Sequence, residues 1–245
     1  LYGFFVARAG LGASESMRSK LAEYNDPRLS RAFITKQGTS GKEQAPGTAD
    51  NAVYAPNGTP EQGTSKYGTS LFMYSISAPT LLLSYHELKF LEAEALCRLE
   101  RDAKSALKDA VVAGLLNAEN SFTISRKELG KTLINAASSI TEAEAESYFD
   151  NTIEAKYTAE PLKTTMTQKY FALWGASGEA TESYNDVRRM KGLGENFIEL
   201  KNPNSFPLRC PYGNSDTTTN AEVKAAYGNG QYVYSENVWW AGGSR

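Results

Sequence analysis

Histidine and cysteine are almost missing from the 245 residues: there is one histidine, His86, and two cysteines, Cys97 and Cys210. A lone imidazole excludes every zinc site that needs two or three of them. It also leaves one candidate base for any serine or cysteine nucleophile. Two thiols are too few for a disulfide scaffold, and spacing alone does not say whether they pair. Neither charge sign dominates, with 26 Lys and Arg against 28 Asp and Glu and a net charge of −2. No Lys/Arg run exceeds two residues, so the basic stripe of a nucleic-acid binder is absent. No apolar run approaches the length of a membrane-spanning helix.

Proline is missing from a long window. None of the nine prolines lies between Pro79 and Pro161, where Gly114 and Gly130 are the only glycines. In a helix interior proline costs about 3 kcal/mol and glycine about 1 kcal/mol, so this window marks a helical block, expected over 84–190. Segments 36–79 and 191–245 are rich in Gly, Pro, Asn, Thr and Ser, which is loop chemistry.

Within the block, Ser84-x-x-Glu87, Ser125-x-x-Glu128 and Thr141-x-x-Glu144 match capping boxes. In such a box the hydroxyl accepts from the third amide and the carboxylate reaches back to the cap. The first helix is expected at about 84–99, with Leu88, Leu91, Ala95 and Leu99 as its buried stripe and Ala93 beside it. The second is expected at about 102–118, antiparallel to the first, with Ala103, Ala106, Leu107, Ala110, Val111 and Leu115 facing inward. Further helices are expected at about 126–137, 141–158, 161–175 and 178–190. No strict 34-residue repeat is present, so an ideal tetratricopeptide array is not supported, while degenerate helix pairs fit.

Covalent chemistry finds little support. His86 follows a helix cap with no nucleophile elbow nearby and reads as structural. Glu142, Glu144 and Glu146 invite a paired-carboxylate reading, but acidic side chains in a first helical turn favour the macrodipole. Gly192-x-Gly194 lacks the third glycine and the strand of a dinucleotide fingerprint. Cys97 reads as a small helix-borne hydrophobe. No metal or cofactor is expected. Tyrosine, by contrast, is abundant at fourteen residues. Its apolar ring and polar tip suit surfaces that hold amphipathic ligands such as sugars. Most of these tyrosines read as packing residues. Tyr54 and Tyr67, set among glycines in the polar loop 36–75, are the exceptions, since no helical stripe accounts for them.

Several motifs occur in a telling order. Ser84-Tyr85-His86-Glu87 with Ala93-Glu94-Ala95 resembles a helix of the SusD/RagB outer-membrane nutrient-binding lipoproteins. So do Gln168-Lys169-Tyr170, and Glu179-Ala180 followed by Tyr184, Asp186 and Arg188-Arg189. Arg209, Pro211-Tyr212, then Asn214-Ser215-Asp216 and Asn220, resemble a further family segment, and Trp239-Trp240 its closing pair. Asp26-Pro27-Arg28 fits a motif that precedes the binding loops. Gly213, Asp216 and Tyr184 depart from the usual proline, glutamate and tryptophan. Glu87 and the Arg188-Arg189 pair also make sense as helix-terminal fold determinants.

The resemblance implies an all-α, tetratricopeptide-like scaffold with long irregular loops. It implies that residues 1–245 are a single domain, the C-terminal portion of a longer protein; the chain starts at Leu1 without Met or signal peptide. It further implies a surface-exposed outer-membrane lipoprotein, anchored through a lipid outside this chain. Such a protein captures a glycan or other nutrient and delivers it to a SusC-like TonB-dependent transporter. Nucleic acid is not an expected partner. A helical-repeat adaptor for another protein is the alternative, and a glycoside hydrolase the third reading. Tyr54 and Tyr67 are the expected ligand contacts.

Overall fold

The computed structural model describes residues 12–37, 42–44, 53–58, 67–129, 137–201 and 205–243. They fall in two compact units, Leu1–Lys201 and Asn202–Arg245.

The larger unit opens with α1, Glu15–Glu23, capped by Ser14, whose hydroxyl accepts from the Met17 amide. Its C-terminus is a Schellman closure. Asn25 sits at φ 49°, the Asp26 N–H reaches the Leu21 carbonyl (2.9 Å) and the Asn25 N–H reaches Ala22. Asparagine is among the few side chains that visit this left-handed conformation readily. Asp26 then caps a 3₁₀ turn, Pro27–Ser30, accepting from the Arg28 amide at 2.9 Å. A small antiparallel sheet follows, unforeseen in the sequence, in the order β2-β1-β3: β1 is Phe33–Gln37, β2 Lys42–Gln44 and β3 Thr69–Ser70. A 3₁₀ turn, Leu71–Tyr74, leads toward the helical block.

The described part of the block is helical as expected, with one boundary correction. Helix α2, Tyr85–Arg98, starts where Ser84 accepts from the Glu87 amide at 3.1 Å. Helix α3, Lys104–Leu129, packs along it. The second helix thus runs eleven residues past the expected 118, because Ser125 is not a cap. It is fully buried inside α3, and its hydroxyl bonds back to the Ser121 carbonyl at 2.7 Å. Nothing before Gly130 breaks the helix, and the Ser125-x-x-Glu128 match was a coincidence of common residues. Residues 130–136, most of the third expected helix, lie outside the described residues. Gly114 on α3 allows close approach: a Cβ there would lie 3.0 Å from the Ala172 Cβ.

Next come α4, Glu142–Tyr148, a π-helical turn, Phe149–Ile153, and α5, Glu154–Ala159. Thr141 caps α4, accepting from the Glu144 amide at 3.2 Å, as its motif requires. Helix α6, Pro161–Leu173, carries proline at its first position, where no N–H is needed. A turn through Gly178 (φ 90°) leads to α7, Ala180–Gly192. A side chain at Gly178 would meet the Leu81 carbonyl oxygen at 2.1 Å, so both conformation and space demand glycine.

The inward face of α2 is another correction. Leu88, Leu91 and Leu99, expected inside, are 51%, 40% and 62% exposed. The buried residues are His86, Glu87, Phe90, Ala93 and Glu94. The face turned inward is the one whose charges find partners on α6 and α7, described below. The core around Phe90 includes Leu107, Leu115 and Phe122 from α3, Phe149 and Ile153 from the π turn, Phe171 from α6 and Phe33 from β1.

The smaller unit holds α8, Asn214–Thr219, and α9, Ala221–Tyr227, joined at Asn220, whose side chain accepts from the Glu222 and Val223 amides. Tyr212 stacks on Tyr227 at 4.4 Å, and the Arg209 guanidinium lies 4.5 Å from the Tyr212 ring. Trp239 and Trp240 open a short 3₁₀ turn and are 75% and 63% exposed.

Candidate functional site

Tyr54 and Tyr67 are both inside the fold, 9% and 7% exposed. Tyr54 stands edge-on to Phe33, ring centroids 5.3 Å apart at 82°, and the Arg18 guanidinium lies 5.1 Å from its ring. Burial pushes its phenol up, against the lowering effect of Arg18. The stretch 53–58 is tied to α1 by backbone bonds between Ala55 and both Ala13 and Glu15, and by Ser14 to Asn57 (3.0 Å). A stacking platform needs an open ring face, and these rings are placed to pack the loop. Residues 38–41, 45–52 and 59–66 of that loop lie outside the described residues.

His86 is 3% exposed, 3.2 Å from the Ser84 hydroxyl and 3.6 Å from Glu179 Oε2. Burial lowers its pKa, against the raising charge of Glu179. Cys97 and Cys210 are both free thiols, Cys97 lying 3.6 Å from the Thr165 hydroxyl. Among the described residues no group of three His, Cys, Asp or Glu is arranged to hold a metal ion, and no helix is long and apolar enough to cross a membrane.

Two buried polar clusters organise the interior. The first is built on the Asp26-Pro27-Arg28 motif. Arg28 is 2% exposed and grips Asp26 in bidentate fashion, Nε to Oδ1 at 2.8 Å and Nη2 to Oδ2 at 2.6 Å. Its Nη1 donates to the Phe171 carbonyl, and the Tyr148 hydroxyl donates to Asp26 Oδ2 at 3.3 Å. One motif thereby ties the turn after α1 to α4 and α6.

The second cluster lies where α2, α6 and α7 meet. Glu94 receives Arg98 and Arg189; burial would raise its pKa, but those hydrogen bonds and charges hold it below the usual value. Arg98 also makes a bidentate pair with Glu195 at 2.8 and 2.9 Å. Lys169, 2% exposed, pairs with Asp186 at 2.8 Å. Beside them Glu87 faces Glu179. The capping box at Ser84 is only half made, because the Ser84 amide donates to Glu179 Oε1. Glu87 is thus freed to turn inward. Burial, then a hydrogen bond shared with Glu179 and the charge of that carboxylate, push Glu87 up to about 7. Glu179 Oε2 is buried without a hydrogen-bond partner among the described residues, with His86 Nε2 3.6 Å away.

A cleft of about 480 Å³ opens beside the first cluster. One wall is the turn after α1, with Asn25, Pro27, Leu29 and Ser30. The other is the outer face of α4 and the π turn, with Glu144, Ser147, Asn151 and Thr152. Asp26, Arg31 and Tyr148, all buried, close it from behind. Arg31 binds the walls together, donating to the carbonyls of Pro27 (2.9 Å) and Ser138 (2.6 Å) and to Glu144 Oε2 (2.9 Å). The acidic first turn of α4 is therefore partly structural: Glu144 is an ion-pair partner, while Glu142 and Glu146 are exposed. Sequence reasoning found the Asp-Pro-Arg turn and the α4 cap separately. It had no signal that they face one another 113 residues apart, as the Arg31–Glu144 pair shows.

The fold and these clusters define a helical scaffold class held by buried ion pairs. Its sequence matches the model of the SusD-like family, described as starch-binding and associating with the outer membrane, over residues 4–212. The chain belongs to that family. A solved SusD/RagB family protein from Bacteroides thetaiotaomicron VPI-5482 is 65% identical, with a TM-score of 0.88. The match covers all of this chain and 52% of that one. A protein from Bacteroides vulgatus ATCC 8482, described as a candidate outer-membrane protein for nutrient binding, shares the fold at 19% identity and a TM-score of 0.56. That match covers 91% of this chain and 50% of the other. The chain thus spans about half the length of either solved relative. Comparison with curated proteins finds no match.

Proposed function

We infer that the protein captures a glycan or other nutrient at the cell surface and delivers it to a SusC-like TonB-dependent transporter, without covalent chemistry. Family membership over residues 4–212 carries this reading. The chain then acts as the C-terminal portion of a longer lipoprotein held to the outer membrane by an N-terminal lipid anchor. Burial of His86 and the pairing of Glu144 with Arg31 favour binding over hydrolysis.

Calorimetric titration of the full-length protein with a panel of glycans tests the reading. Saturable binding of one member without release of reducing ends is expected; no binding across the panel, or hydrolysis lost on changing Glu142 or Glu146, overturns it. Tyr54 and Tyr67 enter as the residues that shape the loop. Removing a buried aromatic side chain costs about 3–5 kcal/mol. Tyr54→Ala and Tyr67→Ala are expected to lower the melting temperature and leave the affinity per folded molecule unchanged. A loss of affinity with an unaltered melt would make the rings direct contacts.

A further inference from the structure

The geometry points to the cleft between the turn after α1 and the outer face of α4 as a binding site for a neutral, polyhydroxylated ligand, a short oligosaccharide. This rests on the glycan-capture reading and assigns it a place and a ligand class.

Size is the first argument. About 480 Å³ lies within the roughly 300–1,000 Å³ of small-molecule sites.

Charge is the second. Every ionic group lining the cleft already has a partner: Asp26 is held by Arg28, and Glu144 by Arg31. Arg31 also donates to the Ser138 and Pro27 carbonyls and the Ser30 hydroxyl. No unpaired cation is left for a phosphate or carboxylate, and no unpaired carboxylate for an ammonium group. A neutral ligand meets no penalty here that a charged one would escape.

Unused hydrogen-bonding capacity is the third. The Asn25 amide and the Thr152 hydroxyl have no side-chain partner among the described residues. Asn151 donates to the Ser147 hydroxyl at 2.9 Å, which leaves the Asn151 carbonyl oxygen and the Ser147 O–H for a ligand. Glu144 uses only Oε2 on Arg31 and leaves Oε1 open. Mixed donors and acceptors on two facing walls suit sugar hydroxyls, each of which both gives and takes. Pro27 and Leu29 are half-buried and supply an apolar strip for the C–H face of a sugar ring.

Rigidity is the fourth. The walls are locked from behind by the Asp26–Arg28 pair and by Arg31, so little ordering entropy is lost on binding. The π turn that carries Asn151 and Thr152 is a rare element found often at functional sites.

The test uses the full-length protein and a panel of neutral malto-, xylo-, manno- and fructo-oligosaccharides beside uronic-acid and sulfated ones. Two variants are compared with the wild type, Ser147→Trp to fill the cleft and Asn151→Ala with Thr152→Val to remove its polar groups. A neutral member is expected to bind. The double variant should weaken it about tenfold, as the loss of one or two neutral hydrogen bonds implies, and Ser147→Trp should abolish it, both with unchanged melting temperature. Equal affinity in all three proteins overturns the site and leaves the capture reading standing. Binding of charged oligosaccharides alone overturns the ligand class, and binding of none overturns site and reading together. A sharp drop in melting temperature for Ser147→Trp would mark the cleft as an internal packing surface and likewise overturn the proposal.

Discussion

At the scale of single residues, the interior is shaped by where protons and charges come to rest. Burial of Glu87, and beside it the carboxylate of Glu179, disfavour a charge on the Glu87 side chain. Glu87 keeps its proton up to about 7, against an ordinary value of 4.5. Its folded pKa lies above its unfolded one, so its contribution to stability is complete below about 4.5 and is lost as the pH rises through about 7. His86 works in the opposite sense. Its pKa is lowered in the fold, so acidification below the ordinary imidazole range favours the unfolded chain, which takes the proton more readily. Glu87→Gln holds a neutral side chain of the same size in place. Thermal melts between about pH 5 and 8 should show the wild type losing stability toward neutral pH relative to the variant. Parallel profiles for the two proteins would mean that Glu87 is already ionised in the fold.

At the scale of elements, the helices were legible and their inward faces were not. Proline and glycine spacing, with the Ser84 and Thr141 caps, located α2, α6 and α7 to within a few residues, and the helix expected at 141–158 as the run of α4, the π turn and α5, because those signals are local. The buried face of α2 depends on partners remote in sequence. Its leucines at 88, 91 and 99 form an apolar stripe as regular as any in the chain, yet the helix turns Glu87, Phe90 and Glu94 inward. Periodicity counts leucines as core and glutamates as surface; it has no means of seeing Arg189 and Lys169, which reach that face from other helices. The cleft was invisible for the same reason, since its walls come from segments some 113 residues apart, as Arg31 and Glu144 are. The orientation of α2 is directly testable. Phe90 is 1% exposed, and Phe90→Ala should cost about 3–5 kcal/mol. Leu88→Gln, on the exposed face, should stay within about 0.5 kcal/mol. Chemical denaturation of both variants checks this, and a reversed order would return the leucine stripe to the core.

At the scale of the whole molecule, stability is unevenly distributed between the two units. The continuous hydrophobic core runs from Ala13 to Ala172, all within the larger unit. The smaller unit has almost nothing of the kind. Among its described residues only Thr217 and Gly230 are buried, and its helices α8 and α9 have six and seven residues. Helices shorter than about 12–15 residues are marginal unless a buried face supports them. What remains is a local set of contacts: the Tyr212–Tyr227 stack, the Arg209 guanidinium over Tyr212, the Asn220 cap and the Leu208–Val233 and Tyr212–Gly230 backbone bonds. Each contributes on the order of 0.5–1.5 kcal/mol, less than the global stability of a domain of this size. Local opening should therefore dominate amide exchange in the smaller unit, while the core of the larger one opens only with global unfolding. Hydrogen exchange followed by mass spectrometry reads both at once. The amides of α3 and α6 should be among the slowest in the chain, and those of α8 and α9 should exchange orders of magnitude faster under the same conditions. Protection of α8 and α9 equal to that of α3 would contradict this division, because it would require buried support that the described residues of the smaller unit do not supply.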